Sequence, residues 1–153
     1  MATDSDRMPP IAAVQAALRR ITESLAAGLA CADTGCPAWS DLDWRLAPAV
    51  AAMHGVSPLL ARELRWQGPP HWARFLAEQR RHTLHRQRRI EELLSNIDAR
   101  ARSAGIAVVA LKGAALQTAG VYAAGERPMA DLDLLVQPAD LETAVAVLLA
   151  LSY

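Results

Sequence analysis

Residues 105–136 read GIAVVALKGAALQTAGVYAAGERPMADLDLLV, and this stretch decides the fold. The run from Ile106 to Leu111 is apolar and rich in β-branched residues, so it predicts a short buried strand. A helix-favouring segment follows Lys112-Gly113, and the run from Asp131 to Val136 predicts a second strand. Pro138 with Asp140 then starts a final helix. The order β-α-β-α indicates a sheet flanked by helices.

Helical periodicity predicts four helices in the first 104 residues. The first follows Pro9-Pro10 to about Ala30, the second is capped by Ser40 or Asp41 and ends at His54-Gly55, the third follows Ser57-Pro58, and the fourth runs from His71 to about Ser103. We therefore expect an α+β fold of α/β type, with a helical region at 1–104 and the β-α-β-α segment at 105–153. Because two strands make a marginal sheet, we favour a chain that is part of a longer polypeptide.

The composition is that of a globular protein, with 52% apolar and 21% charged residues and a formal net charge of zero. These values exclude a disordered tail, a collagen-like repeat and a disulfide-dense mini-protein. Cys31 and Cys36 supply half of a zinc site at most, so reduced thiols are the prediction. The segment Met1–Arg7 lacks the features of a signal peptide, and no apolar run is long enough to span a membrane. We expect a cytoplasmic protein that does not bind membranes.

Charge is separated along the chain. Residues 73–104 hold eight arginines against four acids, whereas residues 126–153 hold five acids against Arg127. The arginines between Arg80 and Arg89 suggest an anionic partner such as nucleic acid. A solvated helix face is the interpretation that we favour, because no aromatic residues are interleaved to stack bases.

Asp131-Leu132-Asp133 is the most informative motif, because strand residues two apart share one side of a sheet. Two carboxylates on one side repel each other unless a cation lies between them, and Mg²⁺ suits oxygen ligands. The motif therefore predicts a site for Mg²⁺, or Mn²⁺. Asp-x-Asp pairs also occur on solvated edge strands, and that alternative stays open.

Lys112 is the single lysine among sixteen basic residues, and with Gly113 it lies where a strand meets a helix. A glycine there lets the backbone approach a ligand, and the free N–H groups at a helix start attract phosphate. Alternatively, Lys112 lies in solvent and Gly113 serves a turn. Arg127 either neutralises a phosphate or pairs with Asp131 or Asp133. For Tyr122 we favour core packing over stacking on a base or a sugar.

Four stretches together form a recognisable pattern: Leu111-Lys-Gly-Ala-Ala-Leu116, the run Arg127-Pro-Met-Ala-Asp-Leu-Asp-Leu-Leu-Val136, Pro138-Ala-Asp-Leu141, and His54-Gly-Val-Ser-Pro-Leu-Leu60. With these stretches the sequence resembles the uncharacterised nucleotidyltransferase family of the DNA polymerase beta superfold. The resemblance implies a mixed sheet in which Asp131 and Asp133 hold the metal and act in catalysis. It also implies that Lys112 and Gly113 stand where the superfold has a Gly-Ser pair that grips the triphosphate.

Two departures from the superfold bear on function. The serine of the Gly-Ser pair is absent, and no acid on a later strand supplies a third carboxylate, so we expect the active site in this chain to be incomplete. The predicted activity is transfer of a nucleoside monophosphate from a Mg²⁺-bound nucleoside triphosphate to an acceptor hydroxyl of unknown identity. The alternative is a non-catalytic binding or regulatory protein of the same fold, similar to an antitoxin-like partner.

Overall fold

The structure is a computed structural model that describes residues 9–31 and 34–151. The segment Met1–Arg7, on which part of the localisation prediction rests, lies outside the described residues. The elements in chain order are helices α1 (Ile11–Ala30), α2 (Asp41–Met53), α3 (Ser57–Glu63) and α4 (Pro70–Ser103), strand β1 (Val108–Ala110), helix α5 (Lys112–Thr118), strand β2 (Leu134–Val136), a 3₁₀ turn (Pro138–Asp140) and helix α6 (Leu141–Leu149). The predicted α+β class is confirmed.

The chain forms two compact units, Met1–Arg80 and Arg81–Tyr153, and the division falls within α4. The predicted boundary at residue 104 marks the end of that helix and stays a prediction for the domains. Among the described residues, no helix is long and apolar enough to cross a membrane.

The first unit is an all-helical core built around tryptophan side chains. Trp39, Trp44, Trp66 and Trp72 contact one another, with the ring centroids of Trp39 and Trp44 4.6 Å apart. Around these rings pack buried side chains from α1, α2 and α3, which are Ala17, Ile21, Leu25, Ala47, Val50 and Leu60. Burial of these large aromatic rings contributes to the stability of the first unit.

A capping box begins α2 at Ser40, one of the two residues, Ser40 and Asp41, that were predicted to cap this helix. The Ser40 side chain accepts a hydrogen bond from the Asp43 backbone N–H, and the Asp43 carboxylate accepts one from the Ser40 backbone N–H. Arg20 of α1 also donates to Asp43, through an Nη2–Oδ1 contact of 2.7 Å. Burial would raise the pKa of Asp43, but the hydrogen bonds from Arg20 and Ser40 outweigh it and hold that pKa below its usual value.

The second unit contains the two strands, which pair antiparallel with Val108 opposite Val136 and Ala110 opposite Leu134. Val108 and Val136 pack on a small core of Ala101, Ile106 and Ala144, so one face of the sheet is covered by α4 and α6. Gly105, with φ of +75°, terminates α4 and turns the chain into β1. The sheet therefore presents its end at Ala110 and Leu134 to the segments that carry the predicted site.

Candidate functional site

The site begins at the turn where β1 gives way to α5. Lys112, the first residue of α5, has φ of +47°, a left-handed conformation that non-glycine residues rarely adopt. The backbone N–H of Leu111 donates to Asp133 O at 2.9 Å, which continues the strand pairing one residue beyond Ala110. The left-handed residue then turns the chain away from the sheet. The turn therefore holds Lys112 next to Asp133.

An ion pair joins these two residues. Lys112 Nζ donates to Asp133 Oδ1 over 3.0 Å, with the side chains 72% and 33% exposed. The hydrogen bond and the charge of Asp133, with a smaller contribution from the charge of Asp131, raise the pKa of Lys112 above its ordinary value. Lys112 thus places an exposed positive charge in contact with one carboxylate and close to the other.

The carboxylates themselves lie outside the strand. We expected a strand from Asp131 to Val136, but β2 begins at Leu134, and Asp131 and Asp133 lie in the irregular segment that precedes it. The end of β1 explains the difference. After the hydrogen bond from Leu111 N to Asp133 O, the chain enters α5 at Lys112, so the ladder between the strands does not extend to Asp131. Asp131 is exposed and Asp133 is partly exposed, so solvent reaches both side chains.

Gly113 lies against the segment that enters the site from the other direction. A Cβ atom at Gly113 would stand 3.0 Å from Met129 Sδ, 3.3 Å from Met129 Cγ and 3.9 Å from Arg127 Nε. Met129 is buried, with 6% of its surface exposed. A side chain at position 113 would therefore press on the residues that carry Arg127, and glycine permits the close approach.

Arg127 is oriented by Tyr122. Its Nη1 donates to Tyr122 Oη at 3.0 Å, and its guanidinium carbon lies 5.1 Å from the centre of the Tyr122 ring. Within the described part of the chain no ion pair joins Arg127 to Asp131 or Asp133, so of the two interpretations the pairing with these carboxylates is not observed. Core packing was the expectation for Tyr122, and its side chain is half-buried beside Arg127.

The long loop between α5 and β2 is held by α4, a connection that the sequence did not indicate. The backbone N–H of Gly125 donates to Gln87 Oε1 at 2.6 Å, and Arg86 Nη1 donates to Met129 O at 3.4 Å. Gly125 has φ of +79°, and a Cβ there would stand 2.5 Å from Leu84 Cγ. Gln87 is buried on α4, but nothing in the sequence identified Gly125 as its partner.

The donor set at this site suits a hard cation. Mg²⁺ prefers oxygen ligands, keeps several waters and takes one or two protein carboxylates together with substrate phosphates. Asp131 and Asp133 are carboxylates that water reaches, and Asp133 already contacts the Lys112 ammonium. The described residues contain no group of three or more His, Cys, Asp or Glu side chains that could hold a metal ion. The two aspartates fit an ion whose remaining ligands are water and phosphate.

Comparison with known proteins identifies one family. The family model described as uncharacterised nucleotidyltransferase matches residues 40–153, a range that contains every residue of the site. No curated protein and no solved structure gives a match.

Proposed function

The chain belongs to the uncharacterised nucleotidyltransferase family, and on that premise we propose that it transfers a nucleoside monophosphate from a Mg²⁺-bound nucleoside triphosphate to an acceptor hydroxyl. The observation that carries the proposal is the contact between Lys112 and Asp133 at the turn between β1 and α5, where Gly113 and Arg127 also meet. Positive groups for phosphate and carboxylates for a cation lie together there.

The positive groups bind the triphosphate in this proposal. Lys112 supplies a point charge on a flexible stem, and its exposed ammonium is free to move from Asp133 to a phosphate oxygen. Gly113 allows the phosphates to approach the backbone. Arg127, with a planar guanidinium that Tyr122 orients, binds a phosphate oxygen pair or the sugar side of the nucleotide.

Asp131 and Asp133 would hold the metal ion. When bound, Mg²⁺ supplies a positive charge that orients the triphosphate and offsets the negative charge developing on it. In the transfer step the acceptor oxygen forms a bond to the α-phosphorus as the bond between that phosphorus and the bridging oxygen breaks. Pyrophosphate leaves with the bonding electrons, and the hydroxyl proton passes to water. Lys112 stabilises the charge on the leaving pyrophosphate.

A second candidate is a protein of this fold that binds a nucleotide or a protein partner and transfers nothing. The observation that favours it is the donor set, because within the described residues Asp131 and Asp133 are joined by no third carboxylate. The Lys112–Asp133 contact favours the enzyme, since it holds a mobile cation beside carboxylates, which a purely structural role does not require.

The test is a transfer assay with each nucleoside triphosphate labelled at the α-phosphate, in Mg²⁺, with pools of RNA, protein and small hydroxyl compounds as acceptors. We expect label in one pool, matched by pyrophosphate release, and loss of both with Asp131→Asn plus Asp133→Asn. The matched control is Asp140→Asn plus Glu142→Gln, which removes two acids at the same spacing elsewhere in the second unit. Nucleotide binding without pyrophosphate release in any pool would instead support the binding protein.

A further inference from the structure

The solvent side of α4 carries a basic face that the proposed site does not use. Arg81, His85, Arg88 and Arg89 are exposed and follow one another at helical spacing, whereas Thr83 and Gln87 on the opposite side are buried. We call these four residues the basic face. His82 is exposed beside it. Within the described residues none of the three arginines forms an ion pair, so their charges are available to a partner.

We propose that the basic face binds the phosphate backbone of a double-stranded nucleic acid. Arg81 and Arg89 are separated by about 12 Å along the helix axis. A duplex carries one negative charge for about every 1.7 Å of its axis, so this length faces about seven phosphates. Three arginines with no acid between them would neutralise about three of these phosphates.

The chemistry of the face also argues against other partners. A protein interface contains apolar or aromatic anchors at its centre, and a membrane-binding helix contains an apolar side next to its basic side. Apart from arginines and histidines, the positions between Arg81 and Arg89 are Thr83, Leu84 and Gln87, of which Thr83 and Gln87 are buried and Leu84 is partly buried. The absence of aromatic side chains from this segment also removes the stacking platforms that unpaired bases require.

Arg86 joins α4 to the segment that leads to the carboxylates. It is exposed and follows His85 of the basic face, and its Nη1 donates to Met129 O, two residues before Asp131. A duplex that contacts Arg86 as well as the basic face would extend toward the loop that carries Arg127. We infer that this duplex bears the acceptor hydroxyl. That identification rests on the proposed function, whereas the binding itself does not.

The experiment is fluorescence anisotropy of the protein with a labelled 20-base-pair RNA or DNA duplex, in EDTA and without nucleotide. We expect binding at 50 mM KCl that weakens by about 40-fold at 200 mM, as neutralisation of about three phosphates requires. Arg81→Gln with Arg88→Gln and Arg89→Gln should weaken binding at least tenfold and flatten the salt dependence. Arg19→Gln with Arg45→Gln and Arg65→Gln, which removes the same charge from exposed arginines of the first unit, should change binding less than threefold.

Three results would overturn the proposal: no duplex binding at 50 mM KCl, equal weakening by both triple variants, or tighter binding of a single strand than of the duplex. Circular dichroism on both variants establishes that each is folded. Asp131→Asn with Asp133→Asn should bind the duplex as well as the wild type does. Duplex binding by a protein that transfers no nucleotide would support this inference and contradict the proposed function. Nucleotide transfer without duplex binding would support the proposed function and contradict this inference.

Discussion

Lys112 Nζ donates a hydrogen bond to Asp133 Oδ1 over 3.0 Å. The contact arises from the register of the sheet, because the hydrogen bond from Leu111 N to Asp133 O brings the next residue, Lys112, to the same end of β2. Asp133 raises the pKa of Lys112, so this side chain stays protonated at neutral pH and the pair is lost as pH rises through that raised pKa. Lys112 thus contacts a carboxylate, that of Asp133, to which we assign the binding of a metal ion.

Replacing Lys112 with Met should change two affinities in opposite directions. Mg²⁺ or Mn²⁺ alone should bind about threefold more tightly, because the ammonium no longer competes for Asp133. The Mg²⁺–nucleoside triphosphate complex should bind about tenfold more weakly, because a charge-assisted contact to phosphate is lost. Calorimetric titrations with and without nucleotide measure the two affinities. Lys112→Arg, which keeps the positive charge, is the control. A fall in both affinities would contradict the proposed exchange of partners.

The Tyr122 hydroxyl should matter for the orientation of Arg127 more than for folding. Tyr122→Phe keeps the ring against the guanidinium and removes the acceptor 3.0 Å from Arg127 Nη1. We expect about threefold weaker nucleoside triphosphate binding with unchanged thermal unfolding, and about tenfold weaker binding for Tyr122→Ala. If wild type and Tyr122→Ala bound nucleoside triphosphate with equal affinity, the assignment of Arg127 to the nucleotide site would be wrong.

Gly125 should be required for the attachment of the loop to α4. Gly125→Ala combines a left-handed φ of +79° with a Cβ that would stand 2.5 Å from Leu84 Cγ. We expect the second unit to lose about 3 kcal/mol of stability, measured by hydrogen exchange of its backbone amides. Gly120 has a similar φ of +70° with open space around it, so Gly120→Ala isolates the backbone strain and should cost about 1 kcal/mol. Equal losses for the two variants would show that the contact with Leu84 contributes nothing.

Acid should destabilise the first unit through Asp43. The pKa of Asp43 is lower in the folded than in the unfolded protein. The contribution of Asp43 to the free energy of unfolding is therefore complete above the unfolded-state pKa, near 4, and is lost as pH falls through the folded-state pKa. Tryptophan fluorescence measures the unfolding of the first unit alone, since all four tryptophans lie between residues 39 and 72.

At pH 7 we expect Asp43→Ala to lower the free energy of unfolding by about 2 kcal/mol and to remove most of the acid dependence. Asp41→Ala, an exposed acid in the same first turn, should cost about 0.5 kcal/mol. The same acid dependence in wild type and Asp43→Ala would assign the effect to other carboxylates.

Local sequence signals predicted most of the helices and the positions of both strands. Ser40 was recognisable as an N-cap, and the stretch from His71 to Ser103 lacks Gly and Pro, so α4 could be traced from pattern alone. Gly105 ended that helix as predicted, because a left-handed glycine is the usual terminator.

Contacts between distant segments could not be predicted in the same way. The start of β2 at Leu134 depends on where β1 stops pairing, and the partner of Arg127 depends on the path of a loop. The hydrogen bond from Gly125 to Gln87 joins residues 38 positions apart, and a single sequence contains no signal for it. Lys112, Gly113, Asp133 and Arg127 were identified by chemistry, and the structure adds that they meet at one turn.

Titration of the purified protein with Mg²⁺ and each nucleoside triphosphate by calorimetry tests the central claim most directly. We predict binding that requires Mg²⁺, that weakens about tenfold in Lys112→Ala, that is lost in Asp131→Asn with Asp133→Asn, and that persists in Asp140→Asn with Glu142→Gln. Absence of nucleotide binding in the folded wild-type protein, or equal binding by all four proteins, would contradict the claim that this turn is a nucleotide site.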